Sequence, residues 1–351
     1  MALVRRNSYH FRFSVQFYDV GNNSMVEGNI FSVKPITYNR DIDGPVNCNI
    51  TVDDMMDIMN MYEGRKLQCL PYMYLVGVAK CGTTDLFKRI TLHPDFKAPT
   101  RKEPNWLSAN RFCEASVNTF EGAHFWPYLG SNVGHDEPVE NNAEYIYHMN
   151  SQARILINVR NPVDRLWSEY LAFSRSANKS AEIFHQIVVR ELSIYNRCLR
   201  TRTLRSCMYD RPMAQFSTMT DVERQLMKQK CHLKPVDIVM LRRGVYHVFI
   251  KDYLKVFPRD HVLIQRLEDI ADDPEETLIR TFNFLGLKIP SKSNLRKIMD
   301  LDIRNTRRPI NIKRGGMLEA TRHILHEFYR PHNEQLSILL NDSKYNYGPR
   351  G

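Results

Sequence analysis

Gly77 and Gly82 stand five residues apart in "YLVGVAKCGTTDLFKRI" (Tyr74 to Ile90), between an apolar run and a helix-forming one. A strand that turns through glycines into a helix presents backbone N–H groups to an anion, and phosphate cradles are built this way. The nucleotide-triphosphatase form of the turn, G-x-x-x-x-G-K-[ST], sets a lysine directly after its second glycine. Here Thr83 takes that position, Thr84 follows, and the lysine lies two residues before Gly82, as Lys80. The N–H groups from Cys81 to Thr84 and the two threonine hydroxyls can hold a phosphate at the helix start. Lys80 then faces whatever group extends beyond that phosphate.

Three other stretches could do chemistry. In "INVRNPVDRLWSEY" Arg160 ends an apolar strand and Ser168 lies two helical turns on, so a guanidinium and a hydroxyl can reach one phosphate. In "RKEPNWLS" the carboxylate of Glu103 could take a proton from an attacking hydroxyl. Taken alone, a Lys-Glu pair before proline is more often a solvated loop. "RNTRRPINIKRGG" is the densest basic cluster, with Arg304, Arg307, Arg308, Lys313 and Arg314 followed by Gly315. By itself it reads as a solvated charged loop or a glycan-binding strip as readily as a nucleotide contact.

Alternating strands and helices must position these groups. "YMYLVGV" reads as a buried strand, and Thr84 to Thr91 as a helix ended by "HPDF". "RILINV" is a second strand, and Pro162 opens the helix after it, with Val163, Leu166, Trp167, Tyr170 and Leu171 as its buried stripe. "GVYHVFIKDYLKVFP" reads as an amphipathic helix, "HVLIQRLEDI" as a strand, and Asp273 as the cap of a helix closed by Gly286. This alternation predicts an α/β fold with a mostly parallel sheet covered on both faces. Residues 1–68 read as an N-terminal extension and 69–347 as the main domain, with 180–240, polar, arginine-rich and weakly periodic, a helical insertion or a substrate-facing lobe.

The 351-residue chain carries 49 Lys+Arg against 39 Asp+Glu, a net charge of +10, which suits an anionic partner. No apolar run approaches a membrane span, and the N-terminus lacks a signal-peptide core, so the chain reads as cytosolic or as a fragment. Cys198, Cys207 and Cys231 lie together without metal spacing, for which a disulfide is a better reading than zinc and reduced surface thiols the alternative. Asn22, Asn49, Asn178 and Asn341 each begin an Asn-x-Ser/Thr sequon. Cysteines and sequons favour a fragment of a secretory-pathway protein.

"AKCGTTDL" resembles the 5′-phosphosulfate loop of the Golgi carbohydrate sulfotransferases, which use 3′-phosphoadenosine 5′-phosphosulfate (PAPS). The resemblance runs from about Leu67 to Tyr347. It implies a P-loop-like three-layer fold, with Lys80 on the bridging oxygen of the donor and Thr83 and Thr84 on its 5′-phosphate. By the same resemblance Arg160 and Ser168 take the 3′-phosphate, Glu103 is the catalytic base, and Lys313, Arg314 and Gly315 belong to a loop closing over the nucleotide. The family's Lys-Gly-Arg order is not kept at that loop, where the chain has Lys-Arg-Gly. The stretch between Trp126 and Ile155 also departs from the family, and the family's N-terminal membrane anchor is not seen. "KEPNW" and "HEFYRPHNEQL" are most similar to family members acting on chondroitin or dermatan sulfate. The implied acceptor is therefore a sulfated glycosaminoglycan, modified at the 6-hydroxyl of N-acetylgalactosamine 4-sulfate in the Golgi lumen, with no metal and no nucleic acid. The alternatives are a heparan sulfate O-sulfotransferase, a P-loop kinase and a non-catalytic anionic-glycan-binding protein.

Overall fold

The computed structural model describes residues 15–19, 24–28, 72–96, 117–121, 126, 130–174, 179–209, 240–301 and 309–348. Within the N-terminal stretch, β1 (Val15–Asp19) pairs antiparallel with β2 (Ser24–Gly28), Val15 lying opposite Gly28. The main sheet is formed by β3 (Met73–Gly77), β4 (Arg154–Val159) and β5 (Val262–Arg266) in that spatial order, all parallel. Tyr74 pairs with Ile155, and Ile155 with Val262.

Buried apolar residues fill nearly all of β3 and β4, as a parallel sheet covered on both faces requires. Successive side chains alternate between two cores. Tyr74, Val76, Ile155, Ile157 and Ile264 enter one core, with Leu166 and Tyr170 of α3 (Pro162–Phe173), Phe249 and Tyr253 of α6 (Tyr246–Val256) and Leu325 and Tyr329 of α11 (Glu319–Leu340). Met73, Leu75 and Leu156 enter the other, with Leu86 and Ile90 of α1 (Thr83–Thr91), Phe282 of α8 (Pro274–Phe284) and Ile298 of α9 (Lys292–Met299). The result is a three-layer α/β fold.

Local signals set the helix starts. Asn161 Oδ1 accepts from Val163 N at 3.0 Å, and Pro162 follows where its missing N–H is harmless. Asp273 Oδ1 accepts from Glu276 N at 3.0 Å, and Gly286, at φ 65°, ends α8. The stripe expected on α3 is buried throughout.

At β5 the structure departs from the sequence reading. "HVLIQRLEDI" is not one strand: β5 stops at Arg266, and Leu267–Asp272 forms a short helix, α7. None of the α7 residues is buried, so the run lacks the burial that would have extended the strand. The start of the polar insertion is a well-formed 19-residue helix, α4 (Ala181–Leu199), with Phe184, Ile187, Val188, Glu191 and Ile194 inward. A disulfide joins Cys198, at its end, to Cys207 of α5 (Leu204–Tyr209); Cys231 lies outside the described residues.

Beneath the sheet's carboxyl edge, Arg165 and Arg243 share Glu169, and Arg243 also holds Glu121. All four are buried. Removing one member of such a network strands a buried charge, at a cost of about 3–5 kcal/mol.

Candidate active site

The loop after β3 is held from below by a buried polar ladder. Val78 N donates to Asn158 O at 2.8 Å, and Asn158 Nδ2 donates to Cys81 O at 3.3 Å. Gln265 Nε2 on β5 donates to Asn158 Oδ1 at 3.1 Å, so residues of β4 and β5 brace the turn that follows β3. Lys80 and Gly82 both adopt left-handed φ, 71° and 75°. Loops of this type gather successive N–H groups towards an anion. At Lys80 the conformation costs a non-glycine residue about 1–2 kcal/mol, strain of the kind functional sites hold.

α1 opens at Thr83, and its N-cap, Gly82, has no side chain with which to cap the first N–H groups. Those donors are the ones a phosphate at the helix start would satisfy. Asp85, the acidic residue in the first turn, is turned away: its Oδ2 accepts from Arg89 Nε at 2.7 Å. Arg89 in turn donates to the carbonyls of Ile298, Met299 and Leu301. Thr83 is buried and Thr84 half-buried.

Arg160 follows β4 and lies against the loop, with Nη1 donating to Lys80 O at 3.5 Å. Its own carbonyl accepts from Tyr246 Oη at 2.8 Å. Tyr246 Oη is also 4.0 Å from Cys81 Sγ. Burial pushes the Cys81 thiol up to about 12, so this cysteine stays protonated and serves packing. Lys80 reaches the far end of α3, where Nζ sits 5.6 Å from the Phe173 ring centroid. Phe173 is 54% exposed.

Ser168 lies half-buried on α3 between Arg160 and Phe173. α10 (Pro309–Lys313) docks just beyond it: Asn311 Nδ2 donates to Leu171 O at 3.4 Å, and Arg314 Nη1 to Asn311 Oδ1 at 2.7 Å. Gly315 turns the chain away at φ 72°. Lys80, Cys81, Gly82, Thr83, Thr84 and Arg160 therefore meet at the carboxyl edge of the sheet, and Lys313, Arg314 and Gly315 come to the end of the helix that bears Ser168. Glu103 lies outside the described residues, as do Arg304, Arg307 and Arg308.

Sequence reasoning missed several supporting groups. Arg322 Nη1 donates to Asp164 Oδ1 at 3.3 Å, one helical turn before Ser168. Glu268 Oε1 accepts from Asn161 N at 2.9 Å, tying α7 to the start of α3. Both pairs span more than a hundred residues, so spacing carries no trace of them. Among the described residues no group of three or more His, Cys, Asp or Glu side chains is placed to ligate a metal.

The donor set suits an anion. The loop's amides, two hydroxyls and Lys80 stand at one place with Arg160 against them, and Ser168 and Arg314 lie by α3. Each is a hydrogen-bond donor to anions, and the charged ones are the strongest.

A sulfotransferase domain model matches residues 71–309. Carbohydrate sulfotransferase 15 of Mus musculus and of Homo sapiens are each 30% identical over 329 residues, covering 80% of this chain. The chain spans about half the length of these relatives, 55%. Heparan sulfate glucosamine 3-O-sulfotransferase 6 of Mus musculus is 24% identical over 224 residues, covering 62% of this chain and 53% of its own. The crystal structure of a sulfotransferase from Alicyclobacillus acidocaldarius overlays with a TM-score of 0.45 at 23% identity, covering 80% of this chain and 100% of its own.

Proposed function

This chain belongs to the sulfotransferase domain family, and from that premise we propose that it transfers the sulfuryl group of PAPS to a hydroxyl of a sulfated galactosaminoglycan. The preferred position in this reading is the 6-hydroxyl of N-acetylgalactosamine 4-sulfate in chondroitin or dermatan sulfate. The observation that carries the donor assignment is the loop itself. Thr83 stands where a triphosphatase has lysine, and Lys80 projects from the loop's start towards Phe173, with Arg160 against its backbone. That arrangement suits a phosphosulfate and a second, separate phosphate better than a metal-bound triphosphate.

In this reading the N–H groups from Cys81 to Thr84 and the threonine hydroxyls hold the 5′-phosphate. Arg160 and Ser168 hold the 3′-phosphate, with Lys313, Arg314 and Gly315 closing over the nucleotide. Lys80 neutralises the charge that develops on the leaving phosphate, a contribution larger in a dry site than in water. Glu103 takes the proton of the attacking hydroxyl, a role that rests on the resemblance of "RKEPNW". No step calls for a metal.

Acceptor and location rest on the relatives and on charge. The name carbohydrate sulfotransferase 15 supports a glycan acceptor, and the net charge of +10 suits a polyanion. The Cys198–Cys207 disulfide supports an oxidising compartment, which we take to be the Golgi lumen.

Incubation with labelled PAPS and defined glycosaminoglycans, followed by disaccharide analysis, tests this. Label is expected on the 6-position of 4-sulfated galactosamine. Label on heparan sulfate alone would overturn the acceptor while keeping the transferase. Retention of chondroitin sulfate without any transfer would leave a glycan-binding protein.

A further inference from the structure

β4 ends at Val159, and the peptide between Arg160 and Asn161 lies beyond the sheet ladder. Both of its polar groups are nevertheless held, each by a side chain. The Arg160 carbonyl accepts from Tyr246 Oη of α6 at 2.8 Å. On the other edge, Asn161 N donates to Glu268 Oε1 of α7 at 2.9 Å. The two holders come from 86 and 107 positions further along the chain.

A buried tyrosine needs an acceptor in any protein, and a carbonyl left over after a strand would explain one such bond. It does not explain why the same peptide is held at both ends. A peptide unit is planar, so fixing its C=O and its N–H fixes the plane and the direction in which the flanking residues leave it. Those residues are Arg160, which turns Nη1 to Lys80 O at 3.5 Å, and Asn161, whose Oδ1 caps α3 by accepting from Val163 N. Tyr246 is buried, and its hydroxyl also lies 4.0 Å from Cys81 Sγ in the loop. Burial holds its phenol well above the ordinary value, so the hydroxyl keeps the proton that it donates. Beside Glu268, Leu267 closes on the loop at Gly82, where a Cβ would lie 2.6 Å from Leu267 Cδ1. Tyr246 and the start of α7 thus each touch both the loop and the Arg160–Asn161 peptide.

We propose that Tyr246 and Glu268 are positioning residues that aim Arg160 at the nucleotide, acting through its backbone and not on the ligand. The inference rests on the donor site proposed above and adds two residues that the sequence reading did not single out.

The test is calorimetric titration of the full chain with adenosine 3′,5′-bisphosphate, in the wild type, Tyr246→Phe, Arg160→Ala and the double variant. Tyr246→Phe keeps the packing and removes only the hydroxyl. Loss of a hydrogen bond of ordinary strength predicts an affinity about two- to tenfold lower. In the Arg160→Ala background the same change should cost almost nothing, because no guanidinium is left to aim. Glu268→Ala should follow the same pattern, and Glu268→Gln, which keeps an acceptor oxygen, should restore most of the affinity. A purely structural role would lower affinity equally in both backgrounds; that result, or an unchanged affinity in Tyr246→Phe, overturns the inference alone. If Tyr246→Phe does not fold, the cycle with Glu268→Ala decides by the same criteria. An Arg160→Ala protein that binds the bisphosphate as tightly as the wild type overturns the donor site, and the inference with it.

Discussion

Gly82→Ala probes the loop through two separable costs. Gly82 lies at φ 75°, and placing an alanine there costs about 1–2 kcal/mol of backbone strain. The added Cβ would also lie 2.6 Å from Leu267 Cδ1, at the start of α7. Driving that side chain off its rotamer costs about a further 0.5–1.5 kcal/mol. Together these predict a loss of about 2–3 kcal/mol, read as a melting temperature lower by roughly 4–12 °C for a domain of this size. Adding Leu267→Ala relieves the collision and leaves the strain. A double-mutant cycle by urea denaturation should then recover about 0.5–1.5 kcal/mol of favourable coupling. Adenosine 3′,5′-bisphosphate affinity should fall in Gly82→Ala, because the Thr83 N–H moves with its neighbour. A variant that melts with the wild type, or a cycle without coupling, would refute this reading of the loop.

Three further outcomes are expected. Glu103→Gln keeps shape but cannot take a proton, so turnover should drop by roughly 10²–10⁴-fold with bisphosphate binding unchanged, as single-turnover kinetics and titration would show. Arg160→Ala should weaken bisphosphate binding by about 1.5–3 kcal/mol, and Ser168→Ala by less, since both side chains are half-buried and off the α3 stripe. His247 and His332 bond edge to edge at 3.2 Å, and His332 also bonds Tyr195 Oη; burial holds both imidazoles down to about 4. Their folded values lie below the unfolded value of about 6.5, so the stability they contribute is full above about pH 6.5 and is lost as pH falls through 4. Melting temperature should therefore fall more steeply over that range in the wild type than in a His247→Gln/His332→Gln variant.

Where local chemistry decides the structure, the sequence was legible. The glycine turn, the Pro162 start, the Asp273 cap and the α3 stripe all depend on neighbours within a few residues. α4 was read only as part of a weakly periodic helical stretch because Glu191 occupies a position on its inward stripe, where burial raises its carboxyl to about 7. A charged residue there breaks the apolar period that identifies a helix. α7 was hidden for the opposite reason, since its apolar Leu267 and Ile270 continue the run of β5 without being buried. The network of Arg165, Glu169, Arg243 and Glu121 joins residues up to 122 positions apart, and charged residues read one at a time are placed on the surface. The same distance in sequence concealed Arg322 at Asp164, 158 positions away.

The claim beneath all of this is that the loop from Lys80 to Thr84, with Arg160 and Ser168, holds a nucleotide by two separate phosphates. Thermal shift of the wild type with adenosine 3′,5′-bisphosphate and with ATP tests it most directly. At ligand about one hundred times its dissociation constant, the bisphosphate should stabilise the protein by about 2.7 kcal/mol. ATP, which lacks a 3′-phosphate, should do much less. Equal stabilisation by the two nucleotides would contradict the account and favour a P-loop kinase.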